Sequence, residues 1–105
     1  MTQGRLFESR VEREFAAWIE TDDGRRVEEE IVRRARLLKR RGWAHYGIAA
    51  LIETVRYDAS VSLLGDAKGY RINNNHRSLL ARRVMQLYPD LGHFFEVRDL
   101  RGRVA

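Results

Sequence analysis

SVSLLGDAKGYRIN, residues 60–73, decides how the rest of this chain is read. Two β-prone runs, 60–64 and 69–73, flank the turn-rich GDAKG, and that pattern predicts a β-hairpin. On both sides the apolar spacing is helical. Upstream, Phe7, Val11, Phe15 and Trp18 share one face of a first helix over Arg5–Thr21. TDDG at 21–24 reads as a turn. A second helix follows over Arg25–Arg41, with Val27, Ile31, Ala35 and Leu38 inward and Gly42 as its terminating glycine. Glu29 with Arg33 and Glu30 with Arg34 have the spacing of helical ion pairs. GWAHYG (42–47) connects to a third helix over Ile48–Asp58, which buries Ile48, Leu51, Ile52 and Val55.

Beyond the hairpin a fourth helix is expected over His76–Tyr88, with Leu80, Val84, Leu87 and Tyr88 inward and Pro89 ending it. Leu91, Phe94 and Phe95 then cover the core, and RGRVA frays. The expected fold is mainly α with a small β-hairpin, in the order α–α–α–β–β–α. That is the order of a winged helix-turn-helix, as a single domain over 1–105. Such a domain lays its third helix in the major groove and its hairpin over a phosphate backbone.

Composition narrows the function. The 105 residues contain no cysteine, which excludes disulfides and thiolate metal sites and fits a reducing, cytoplasmic setting. No apolar run approaches the roughly 20 residues that span a bilayer. Net charge is +5, unevenly spread: residues 1–32 carry −4 and residues 33–105 carry +9. A basic body of this kind suits a polyanionic partner. Arginine outnumbers lysine 18 to 2, so part of the charge can equally reflect codon usage.

The densest basic stretch is RRARLLKRR (33–41), six cations in nine positions. Arg33 and Arg34 face the acids of EEE at 28–30, whereas Lys39, Arg40 and Arg41 have no obvious local acid and are candidate phosphate contacts. Just beyond, Trp43, His45 and Tyr46 interleave aromatics with cations. His45 and Tyr46 can donate to phosphate. Trp43 is expected as a lid over the first helix, with stacking on a base as the alternative. The third helix is poorly equipped to read bases: Ala49, Ala50, Glu53 and Tyr57 point outward, with Arg56 at the flank.

NNNHR (73–77) offers more. One asparagine, Asn74 or Asn75, is expected to cap the fourth helix, leaving the others free to contact adenine or phosphate. Lys68, Arg71, Asn73, Asn74, His76, Arg77 and Arg82 complete the candidate nucleic-acid site. The plainer reading makes the run a capped turn whose amides tie down the loop. No catalytic motif stands out. His45, His76 and His93 lack metal-ligand spacing, there is no GxSxG and no phosphate-binding glycine loop, so neither a catalytic residue, a metal nor a cofactor is expected.

Two segments, RRGWAHYGIAALIETVRYDA and GYRINNNHRSLLARRVMQLYPDLGHFFEVR, carry a resemblance. Tyr46, Gly47, Ile48, Ala50, Leu51, Glu53, Val55 and Arg56 match one part of it. Ile72 to Asn75, Ala81, Arg82, Pro89, Leu91, Phe94, Phe95, Glu96 and Arg98 match the rest. This pattern resembles a group of small bacteriophage- and prophage-encoded proteins, although Tyr57 stands where those have tryptophan. The resemblance implies phage or prophage origin and no particular reaction. The expected function is non-enzymatic double-stranded DNA binding in transcriptional control or replication. The alternative is a small phage inhibitor that sets the same basic face against an acidic host protein. Oligomeric state stays open, a homodimer included.

Overall fold

The computed structural model describes residues 9–61 and 74–96. Four α-helices make up most of them: α1 (Arg10–Ile19), α2 (Asp22–Arg40), α3 (Ile48–Val61) and α4 (Arg77–Leu87). Short 3-10 turns at Asn74–His76 and Pro89–Leu91 bracket α4.

Among the described residues there is no strand, which overturns the winged helix-turn-helix reading and its α–α–α–β–β–α order. Ser60 and Val61, expected to open the first strand, are the last residues of α3. Extending a helix already under way costs far less than nucleating a new element. The β preference of so short a run is overridden by context. The remainder of the expected hairpin, 62–73, lies outside the described residues.

Side-chain caps set the starts of α1 and α2. Ser9 accepts from the Glu12 N–H (3.0 Å) and Glu12 Oε1 accepts from the Ser9 N–H (2.9 Å), a capping box. It starts α1 at Arg10, and the part of the expected first helix over 5–8 lies outside the described residues. Thr21 caps α2 by accepting from Gly24 N–H (3.0 Å), while its hydroxyl donates back to the Trp18 carbonyl (2.6 Å). The turn expected at TDDG is instead the two residues Glu20 and Thr21, and Asp22 and Asp23 become the acidic first turn of α2, where the helix dipole favours them. Gly24 permits the crossing: a Cβ there would collide with the Trp18 carbonyl oxygen and stand 2.7 Å from Ile19 Cα.

α2 packs against α1, α3 and α4 and is the central helix of the bundle. Its Val27, Ile31, Val32 and Ala35 are buried with Phe15 and Ile19 of α1, Leu51, Ile52 and Val55 of α3, and Leu80, Ala81 and Val84 of α4. Leu91, Phe94 and Phe95 close the core as expected. Leu87, expected inward, is half exposed. One ion pair reaches the interior. Glu28 of α2 is buried and accepts from Arg83 Nε of α4 at 3.2 Å, linking the two helices. Among the described residues no helix is long and apolar enough to cross a membrane.

Candidate nucleic-acid interface

The end of α2 leads into an exposed aromatic, Trp43. Gly42 adopts φ +102, the left-handed conformation that L side chains rarely take. Its N–H donates to the Lys39 carbonyl (3.0 Å) and the Trp43 N–H to the Leu38 carbonyl (3.0 Å). Those two bonds define a Schellman motif, with Gly42 in the position the sequence assigned it. The motif also fixes where the chain leaves the helix, and Trp43 follows immediately.

Trp43 is not the core lid that was expected. It is 51% exposed, and its indole meets the Tyr46 ring edge-on, 5.2 Å between centroids at 82°. Tyr46 is half-buried, its N–H donating to the Phe94 carbonyl (3.1 Å), and His45 Nδ1 lies 3.1 Å from the His93 carbonyl oxygen. The connector is thus stitched to the segment that closes the core. The indole rests on an anchored ring.

The six cations of 33–41 separate into spent and free. Arg33 pairs with Glu30 (2.7 Å) rather than with the expected Glu29. Arg34 joins Glu30 (3.1 Å), Thr54 Oγ1 (2.9 Å) and Asp58 (2.6 Å). Arg36 forks onto the Asp90 carboxylate at 2.9 and 3.1 Å, and Lys39 donates to the Asp90 main-chain carbonyl. Hydrogen bonds from Arg33 first, then from Arg34, hold the Glu30 carboxyl below the usual range, and the Arg36 fork does the same to Asp90. Arg40 and Arg41 are exposed and have no side-chain partner among the described residues.

An open groove of about 270 Å³ runs beside this turn between α2 and α3. Leu37, Leu38, Tyr46 and Leu51 give it apolar walls, and Arg34, Arg41 and Thr54 give it polar ones. Leu37 is 38% exposed there.

The other candidates lie apart from it. Arg56 pairs with Glu53 at 3.0 Å, and Arg77 approaches the same carboxylate oxygen at 3.9 Å. Glu53 is therefore offset by two guanidiniums. His76 is buried, edge-on to Phe15 (5.4 Å) and tilted against Trp18 (6.3 Å), and among the described residues its Nε2 and the Nε of Arg77 have no hydrogen-bond partner. Burial pushes the His76 pKa below the ordinary histidine value, against the raising influence of Glu14. It is a core residue, unsuited to direct phosphate contact.

The expected asparagine cap is also corrected. Asn74 and Asn75 form the 3-10 turn, and the N-cap of α4 is His76, which makes no side-chain cap bond. Arg82 is exposed on α4. Lys68, Arg71 and Asn73 lie outside the described residues. Among the described residues no three His, Cys, Asp or Glu side chains converge as a metal-ligand set. Sequence reasoning missed the Leu37–Leu38–Leu51 groove and the Ser9–Glu12 box, although S-x-x-E at 9–12 signals the second. Comparison with protein-family models, with curated proteins and with solved structures finds no match to this chain.

Proposed function

We propose that this protein is a non-enzymatic DNA-binding protein, of the phage or prophage origin its sequence pattern implies, with the Arg40–Tyr46 turn as its contact surface. One observation carries the reading: a half-exposed tryptophan braced on a tyrosine, preceded by two arginines that no acid among the described residues neutralises. Cations free of internal partners can displace counterions from phosphates, and an aromatic face can stack on a base. The negative end of the α2 dipole at this point is offset by Lys39, Arg40 and Arg41.

The groove beside the turn favours a second reading, an acidic protein partner. Tyr46, Arg34 and Arg41 on its walls are of the residue types enriched in protein-binding hot spots. Titrating labelled DNA of arbitrary sequence at several salt concentrations separates the two. Binding that weakens steeply with salt supports the proposal. No binding at low salt refutes it and leaves the protein partner.

A further inference from the structure

We infer that the ligand of this turn is single-stranded nucleic acid, one unpaired base stacking on Trp43 and a neighbouring base entering the groove between α2 and α3. The inference rests on the nucleic-acid reading above and specifies its substrate class.

Three features favour unpaired bases over a duplex. First, an indole can cover a base only where the base's flat face is open, and in a duplex both faces are already stacked on neighbours. Trp43 is half exposed, and Tyr46 supports its ring from the protein side. Secondly, the groove has the size and chemistry of a base site. Its volume of about 270 Å³ is ample for a planar heterocycle, Leu37, Leu38 and Leu51 give it apolar contact, and Arg41 stands on its wall beside the strand's expected path.

Thirdly, α3, the helix expected to enter the major groove, lacks the equipment to read a duplex. Base reading in the major groove uses Arg, Asn or Gln projecting from an inserted helix. The exposed positions of α3 are Ala50, Glu53 and Tyr57, and its Arg56 is paired with Glu53. The free cations at the turn are Arg40 and Arg41, enough to hold two consecutive phosphates of one strand. Duplex binding built on about 6–10 phosphate contacts, with the steep salt dependence they bring, would need several times as many.

The test uses the full chain. A 5′-labelled oligothymidylate and a duplex of the same length are titrated separately, with fluorescence anisotropy as readout. The emission of Trp43 is followed in a Trp18→Phe background, where it is the sole indole. The expected result is tenfold or tighter binding of the single strand, with quenching of Trp43 emission on saturation. Trp43→Ala should weaken single-strand binding on the order of tenfold or more while far-UV circular dichroism and the thermal midpoint hold. If Trp18→Phe fails to fold, wild-type anisotropy and Trp43→Ala still decide the matter. Duplex bound as tightly as single strand, or single-strand binding indifferent to Trp43→Ala, overturns this inference and leaves DNA binding standing. Absence of binding to both overturns the inference and the proposed function together.

Discussion

Replacing Arg34 by lysine keeps a positive charge and removes a fork. The native guanidinium spans from Glu30 on α2 to Thr54 and Asp58 on α3 at 3.1, 2.9 and 2.6 Å, with the side chain only 13% exposed. A lysine ammonium is one compact point of donors and can satisfy one of these partners in place of three. Glu30 keeps Arg33 at 2.7 Å, so the loss falls on the two contacts with α3. Hydrogen bonds to charged groups contribute about 1.5–3 kcal/mol each. Asp58 is 41% exposed and recovers water, which discounts its share. The net cost comes to about 2 kcal/mol, roughly a 10 °C fall in Tm for a domain of this size. Urea unfolding followed by circular dichroism measures it. Asp58→Asn in the same chain should add less than its separate cost, because the two residues share one interaction. An unshifted Arg34→Lys midpoint would show that the α2–α3 link is surface ornament, and that something else holds the groove open.

Three further outcomes follow from the geometry. Gly24→Ala sets a helix-propensity gain of about 1 kcal/mol against a backbone collision at the α1–α2 crossing. The collision wins because neither Trp18 nor Ile19 backbone can yield without moving the helix pair, so thermal melting should show net destabilisation; a raised midpoint contradicts the crossing. His76 holds its pKa below the ordinary value, chiefly through burial. The neutral ring is thus favoured by folding, and stability that is complete above about pH 6.5 should fall as pH drops from there toward 5. His76→Phe, which keeps the edge contact with Phe15, should flatten that limb in urea melts across the range, and an identical limb in the variant assigns the effect elsewhere. Arg83→Met leaves the buried Glu28 carboxylate without its guanidinium, the Tyr88 hydroxyl remaining beside it, and urea unfolding should show a cost of about 2–3 kcal/mol, discounted because Arg83 is a third exposed; a change under 1 kcal/mol would count against that pair as an interhelical tie.

The parts of the fold legible in the sequence were those with a local physical cause. Gly42 marked the end of α2 because only glycine relaxes at φ +102, and Pro89 ended α4 because it lacks an N–H. Leu91, Phe94 and Phe95 were placed in the core by apolarity alone. Arg33 and Arg34 were assigned to local acids by helical spacing, although Arg33 chose Glu30 at i−3 over Glu29 at i−4.

What was illegible depended on competition. SVSLL carries β preference, but a helix arriving at Ser60 continues more cheaply than a strand begins. Trp43 was expected inside because tryptophan usually is. The Schellman turn directs the chain before side-chain type has a say, and leaves the indole half in solvent. The cap of α4 was assigned to asparagine by propensity, yet the 3-10 turn consumes Asn74 and Asn75 before the α-helix starts. The groove needs Leu37 and Leu51 from two different helices, a coincidence no local pattern announces.

The central claim is that Arg40 and Arg41, and not their paired neighbours, meet the phosphates. The salt dependence of DNA affinity tests it most directly, comparing Arg40→Ala/Arg41→Ala with Arg33→Ala/Arg36→Ala in folded chains. Each phosphate contact contributes about 0.7 to the slope of log affinity on log salt for a single strand and about 0.9 for a duplex. Losing Arg40 and Arg41 should therefore flatten the slope by about 1.4 or about 1.8 respectively. Losing Arg33 and Arg36, which are bound to Glu30 and Asp90, should leave it unchanged. A slope that survives the first double substitution, or falls equally with both, contradicts the account.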